Sequence, residues 1–258
     1  MIRRVILSTA VLVGTGAIST SALPSVCNDP LTASFSRWPP YNMKTKDGWA
    51  GIDIDILKMI GEKIGCEVAP KKMPWTRGKF LIEHGEIDLG MHAGITEERQ
   101  KYADYSDAYM KFQSSLWVRK SSREDYDSLA AFLRDGNMLA IKEGYEYGED
   151  TNKLIRESYP DQVVSGKNLR VNVRVLARGR VDGMLGTPFV VEYRAREEGV
   201  GDQIEQRLVV QSEPMHVMVS EKSVSQAELD AINEAIATLK EEGKIQQVVK
   251  EYTGTTMQ

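Results

Sequence analysis

The chain holds little of what metal and redox proteins are built from, with two cysteines and three histidines in 258 residues. His84 and His216 fall at no ligand spacing relative to His92, so neither a metal nor a cofactor is expected. Cationic excess is missing as well. Lys and Arg number 33 against 37 Asp and Glu, for a net charge of −4, which argues against a nucleic-acid partner, because phosphate contact needs a basic face. No apolar run reaches the roughly 18 residues of a spanning helix. What is present, 41% apolar and 27% charged, is the usual mix of a globular chain of one or two compact domains.

The first residues read as a leader. Arg3 and Arg4 precede an apolar stretch from Val5 to Ala17, and Ser19, Thr20 and Ser21 lead to Ala22. A basic start, a short apolar centre and a small-residue cleavage site predict a signal peptide over 1–22 and work outside the cytoplasm. Ser8, Thr9, Gly14, Thr15 and Gly16 break the apolar run, which speaks against a membrane anchor. Val26 is not the small residue expected before a lipidated Cys27. An oxidising compartment permits a Cys27–Cys66 disulfide, provided the strands these cysteines border are parallel neighbours; two free thiols are the alternative.

Periodicity then places the elements. Leu31–Phe35 reads as a first strand. Asp53 can cap a helix whose Ile56, Leu57, Ile60 and Ile64 share one face, ended by Gly65. Cys66–Ala69 is a second strand, and a helix after Pro74 carries Phe80, Leu81 and Ile82 and stops at Gly85. Ile87–Met91 is a strand, and Thr96 opens a helix. Met138–Ile141 and Val181–Leu185 read as strands, Asp150–Ser158 and Leu169–Arg178 as helices. This alternation predicts parallel α/β units. Ile82-x-x-Gly85-x-Ile87-Asp88 and Leu176-x-x-Gly179-x-Val181-Asp182 repeat one helix–turn–strand pattern, which points to two similar lobes. Near the end, Leu229, Ile232, Ile236 and Leu239 form one apolar stripe. Ile245, Val248, Val249 and Tyr252 form another. Both predict amphipathic helices packed on a lobe.

Gly51-Ile-Asp-Ile-Asp-Ile-Leu, Gly85-Glu-Ile-Asp-Leu-Gly, Gly94-Ile-Thr-Glu-Glu-Arg-Gln-Lys-Tyr-Ala-Asp-Tyr-Ser-Asp-Ala-Tyr and Leu116-Trp-Val-Arg-Lys, taken in order, resemble the extracellular solute-binding proteins of family 3, polar-amino-acid receptors of bacterial ABC importers. The resemblance implies a type II periplasmic-binding fold: two α/β lobes, each with a mainly parallel sheet, joined by two crossover strands around a ligand cleft. It implies lobe one over 23–110, lobe two over 111–218 and a return to lobe one over 219–258. Hinge closure is a known behaviour of such proteins.

The resemblance also nominates a site, beyond strand ends where open α/β sheets bind ligands. Arg99 corresponds to the arginine that grips a ligand carboxylate with its guanidinium fork; a solvated surface cation beside Glu97 and Glu98 is the alternative. Thr96 either caps a helix or contacts the same carboxylate. Trp38 either lies against the ligand or packs on Pro39. Of Trp75 and Arg77, one is expected in the cleft. His92 reads as a polar wall or a pH-sensitive contact, and Tyr145, flanked by Glu143 and Glu146, as a lobe-two lining residue. Two positions depart from the family. Gly94 stands where serine or threonine is frequent, and Thr187 where aspartate pairs with the ligand's α-ammonium. A buried ammonium without a counter-charge is costly, so either Glu143 or Glu146 substitutes or the ligand lacks that group.

The expected protein is therefore a periplasmic, monomeric, non-enzymatic receptor for a small polar, carboxylate-bearing solute, delivering it to the membrane permease of an ABC importer. A cyclohexadienyl dehydratase-like enzyme on the same fold is one alternative. A ligand-sensing partner of a membrane receptor is another.

Overall fold

A computed structural model describes residues 26, 27, 29–145 and 147–254. The leader expected over 1–22 and Glu146 lie outside the described residues. In lobe one, β1 (Leu31–Phe35) is followed by a small hairpin of β2 (Met43–Lys44) and β3 (Trp49–Ala50), helix α1 (Ile52–Ile64), β4 (Val68–Lys72), α2 (Trp75–His84) and β5 (Leu89–Ala93). The short β6 (Ala103–Tyr105) leads into β7 (Met110–Arg119). Lobe two follows with α3 (Leu129–Arg134), β8 (Leu139–Lys142), α4 (Glu149–Lys153), β9 (Val163–Gly166), α5 (Leu169–Ala177), β10 (Gly183–Gly186) and α6 (Pro188–Glu197). The long β11 (Ile204–Ser220) returns the chain to α7 (Gln226–Glu241) and α8 (Lys244–Thr253).

The apolar stripe of α1 is buried as its spacing predicts, but the helix starts at Gly51, not at Asp53. Gly51 holds φ 130°, and a Cβ there would lie 2.3 Å from the Tyr41 carbonyl oxygen, so the entry to the helix accepts only glycine. Asp53 sits inside the first turn, fully buried. The helix expected from Thr96 is a single 3-10 turn, Arg99–Lys101, because Tyr102 leaves helical geometry and Ala103–Tyr105 is drawn into pairing with β11. The expected helix over Asp150–Ser158 is α4 continued by a π turn, Leu154–Ser158. The strands expected at Ile87 and Val181 begin two residues later, after the turns that carry Asp88 and Asp182.

The sheet order is β4-β1-β5-β11-β7-β10-β8-β9, with β6 also on β11. β1 is parallel to both β4 and β5, and β8 is parallel to both β10 and β9. β7 and β11 run antiparallel from Ile204↔Arg119 to Met215↔Met110, and β11 continues past them to pair with β5 and β6. These two strands connect the lobes. Neither strand was assigned from periodicity, since a ribbon that passes from one core to the other carries no continuous alternation.

Cys27 and Cys66 form a disulfide with Cα atoms 5.6 Å apart, within the reach of such a bridge. The adjacency it required is present, because Leu31 pairs with Val68 across parallel β1 and β4. α7 begins with a capping box, Ser225 and Glu228 each bonding the other's backbone N–H. Its stripe is buried, as are Ile245, Val248 and Val249 of α8, and both helices pack beside α1. Tyr252 fixes α8 there by donating to Asp55 and accepting from the Gly51 N–H at 3.1 Å.

Candidate functional site: a cleft between two lobes

A cavity of about 1240 Å³ opens between the lobes. Lobe one lines it with Trp38, Trp75, His92, Gly94, Thr96 and Arg99, and lobe two with Lys142, Tyr145 and the start of α4. Phe112 of β7 and Gln211, Glu213 and Met215 of β11 supply the wall made by the crossover strands. All the lobe-one residues lie at or beyond the C-terminal ends of β1, β4 and β5, where the parallel sheet leaves a crevice.

The loop after β5 shapes the Arg99 side chain. Thr96 Oγ1 accepts from the Arg99 N–H at 3.3 Å, so the threonine holds the turn, as a capping residue does. Arg99 Nη1 donates to the Gly94 carbonyl at 2.8 Å, and the guanidinium lies 5.5 Å from the centroid of the Trp75 ring. The ring and carbonyl fix the fork while leaving other N–H groups for a ligand. Trp75 reaches the cleft because α2 packs closely on the sheet: Cβ atoms at Gly78 and Gly90 would meet Ser34 Oγ at 2.7 Å and Ile82 Cδ1 at 2.9 Å. Arg77 does not reach it. Two residues further along α2, about 200° around the helix, it lines a groove with Pro70, Lys72 and Leu81.

Behind the cleft wall lies a polar cluster centred on Asp53. Its Oδ1 accepts from the Tyr109 hydroxyl at 2.8 Å and from His92 Nδ1 at 3.3 Å, and its Oδ2 accepts from Asn42 Nδ2 at 3.1 Å. The carboxylate sits in the first turn of α1, where the helix dipole favours an anion. His92 has φ 58°, uncommon for a residue with a side chain. It is held there by its ring bond to Asp53 and by its N–H, which donates to the Tyr109 hydroxyl at 3.1 Å. Its Nε2 has no hydrogen-bond partner among the described residues. Burial, and then the adjacent Asp53 charge, push the Tyr109 hydroxyl well above its ordinary pKa, so it stays a donor. Trp38 stacks on Tyr41 at 4.4 Å between centroids and meets His92 edge-on at 5.0 Å. It is therefore more than a loop residue resting on Pro39.

On lobe two, Tyr145 lines the cleft with its hydroxyl beside Thr187 and the Trp38 indole. Burial raises its pKa to about 12, partly offset by the neighbouring Thr187 and Trp38. Thr187 itself is buried and opens not on the main cleft but on a separate cavity of about 340 Å³, shared with Tyr41, Tyr109 and Phe189. Lys142, at the end of β8, lies over the Tyr145 ring at 4.3 Å and faces the cleft; burial lowers its pKa. Glu143 is exposed and does not line the cleft.

Asp53, Tyr109 and Lys142 were not nominated from sequence. Asp53 carried a usable signal, since a carboxylate at i−3, i−4 and i−7 to Ile56, Leu57 and Ile60 lies on the apolar stripe. Lys142 carried none, because a lysine at a strand end has no pattern of its own.

The sequence pattern of the bacterial extracellular solute-binding proteins, family 3, matches residues 32–255, and the chain belongs to that family. It is 27% identical over 207 residues to the ABC transporter glutamine-binding protein GlnH of Bacillus subtilis, covering 78% of this chain and 72% of that one. It is 22% identical over 227 residues to the arginine-binding periplasmic protein of Mannheimia haemolytica, covering 84% and 88%. Among solved structures, the unliganded open L-cystine solute receptor of Neisseria gonorrhoeae superposes with a TM-score of 0.72 at 19% identity, covering 89% of this chain and 95% of the other. At that identity the likeness concerns the fold. It is the two-lobed α/β architecture of the type II binding proteins.

Proposed function

We propose that the protein is an exported, monomeric binding protein that captures a small carboxylate-bearing solute between its lobes and presents it to the membrane permease of an ABC importer. The observation that carries this reading is the Arg99 guanidinium, which lies in the inter-lobe cleft against Trp75 with no carboxylate paired to it among the described residues. A guanidinium fork matches a carboxylate in two parallel hydrogen bonds. The glutamine-binding and arginine-binding relatives support the class of solute. Among the described residues no helix is long and apolar enough to cross a membrane. The leader read over 1–22 supports export.

Residues 23–110 and 219–258 act as one lobe and 111–218 as the other, with β7 and β11 flexing between them. A solute that touches both lobes favours the closed state by its differential affinity. Trp38, Trp75, His92, Gly94, Thr96 and Tyr145 line the path it takes. Arg77 and Thr187 have other surroundings and are assigned no ligand contact.

The test is a thermal-shift and calorimetric screen of the mature protein against carboxylates and amino acids. Arg99→Ala is expected to weaken the best ligand by about 3 kcal/mol, the typical cost of removing one partner of a buried charged pair. Unchanged affinity in that variant removes the carboxylate reading. Turnover of prephenate or arogenate by the wild-type protein would replace binding by dehydratase chemistry.

A further inference from the structure

Two features of lobe two narrow the solute further. The first is Lys142. Its ammonium is partly withdrawn from water, stacked on Tyr145, and has no acidic partner among the described residues. It faces the same cavity as Arg99 from the opposite lobe. Among the described residues, the acids on that cavity are Glu149, Glu157 and Glu213. Glu149 and Glu157 belong to α4 and its continuation, which also carry Lys153 and Arg156, and Glu213 accepts from Gln211 Nε2 at 2.6 Å. A partly buried cation without a counter-charge is disfavoured, and an anionic group arriving on the ligand relieves that cost.

The second feature is the corner around Thr187. The Tyr145 hydroxyl lies against Thr187 and Trp38, and Thr187 is 1% exposed and absent from the cleft surface. Neither hydroxyl carries the charge that a ligand ammonium would need, and Glu143 is exposed and does not line the cleft. Arg99 from lobe one and Lys142 from lobe two thus face the solute as cations with no carboxylate partner among the described residues.

We infer that the solute is a small dicarboxylate without an α-ammonium group, one carboxylate gripped by Arg99 and the second by Lys142, so that the ligand itself ties lobe one to lobe two. This rests on the reading of Arg99 as a carboxylate site and adds the second charge and its partner. A diacid spans the cations and offsets both. A monocarboxylate leaves Lys142 uncompensated, and an amino diacid brings an ammonium that meets no carboxylate at the Thr187 corner.

Calorimetry with succinate, glutarate, butyrate, L-glutamate and L-glutamine tests it on wild type, Lys142→Met, Lys142→Arg and Arg99→Ala, with far-UV circular dichroism confirming that each variant is folded. One of the two diacids is expected to bind at least about tenfold more tightly than butyrate and than L-glutamate, a difference of about 1.4 kcal/mol. Lys142→Met removes the advantage over butyrate, Lys142→Arg keeps most of it, and Arg99→Ala abolishes binding of all carboxylates. Equal binding of diacid and monoacid, preference for L-glutamate or L-glutamine, no binding of either diacid, or indifference to Lys142→Met overturns the inference. If Arg99→Ala still weakens whichever acid binds, the single-carboxylate reading survives that result. If Arg99→Ala changes nothing, both fail together.

Discussion

The two lobes open their cleft-facing loops from the same turn and then diverge. In lobe one, α2 ends with Gly85 in the left-handed region, its N–H bonded to the Ile82 carbonyl at 3.1 Å and the next N–H to Leu81 at 2.9 Å. In lobe two, α5 is followed by Gly179 in the same conformation, its N–H bonded to the Leu176 carbonyl and the next N–H to Val175, both at 2.9 Å. Three residues after each glycine an aspartate pins the neighbouring strand: Asp88 accepts from the Thr32 N–H at 2.7 Å, and Asp182 from the Met138 N–H at 2.9 Å. A few residues further on the likeness stops. Lobe one presents His92, Gly94 and Arg99 on a braced loop, whereas lobe two turns Thr187 inward and offers Lys142 and Tyr145 from another strand. The shared turn sets where a strand ends; the residues past the strand are free to differ, and ligand chemistry resides there.

The bracing is also unequal, and that can be measured. Lobe one holds the disulfide across the segment between its first two parallel strands, a separation of 39 residues. Chain-entropy reasoning puts its contribution at about 4 kcal/mol, and denaturant unfolding of a Cys27→Ala/Cys66→Ala variant is expected to show a loss of that order. An unchanged midpoint would remove the staple from the comparison. Asp53→Ala comes next, at about 3 kcal/mol, because it leaves Tyr109, Asn42 and His92 without their common acceptor inside the protein. Urea titration reads the loss, and a fall below about 1 kcal/mol would mean that water replaces the carboxylate.

The paired aspartates give a sharper contrast. Asp88 also accepts from Thr32 Oγ1 at 2.8 Å and Ser223 Oγ at 2.6 Å, whereas Asp182 adds one long contact, 3.5 Å, from Arg119 and remains 40% exposed. Asp88→Ala should cost about 2 kcal/mol and Asp182→Ala about 1 kcal/mol. Equal costs would show that backbone pinning alone decides. The smallest effect belongs to Gly94→Ser. A Cβ there meets Met215 Cε at 3.6 Å, an ordinary contact, and stability should stay within about 0.5 kcal/mol. If the fork of Arg99 needs a neighbouring donor, the serine hydroxyl should tighten carboxylate binding several-fold in calorimetry.

Much of this was legible from local pattern. The stripes of α1, α7 and α8, the glycine stops at 65, 85 and 179 and the twin aspartates are short-range features, and each corresponds to an element. Boundaries moved where a turn consumed the first residues of a strand, as at Asp88 and Asp182. The helix expected after Thr96 failed because pairing of Ala103–Tyr105 with a strand more than a hundred residues away outweighed local preference. Of the two α2 candidates, helical phase selects Trp75 over Arg77, but knowing which phase faces the cleft required seeing the helix packed on Gly90.

The sequence by itself determined the periodicities, the chain order of strands and helices and the chemical types available at each strand end, because those depend on neighbours within a few residues. The tertiary structure alone decided which of them share a cavity. It set Asp53 behind His92, turned Thr187 away under Tyr145, and brought Lys142 to face Arg99 from the other lobe. Those juxtapositions depend on how β7 and β11 carry the chain between two cores, a long-range packing outcome that no local window contains.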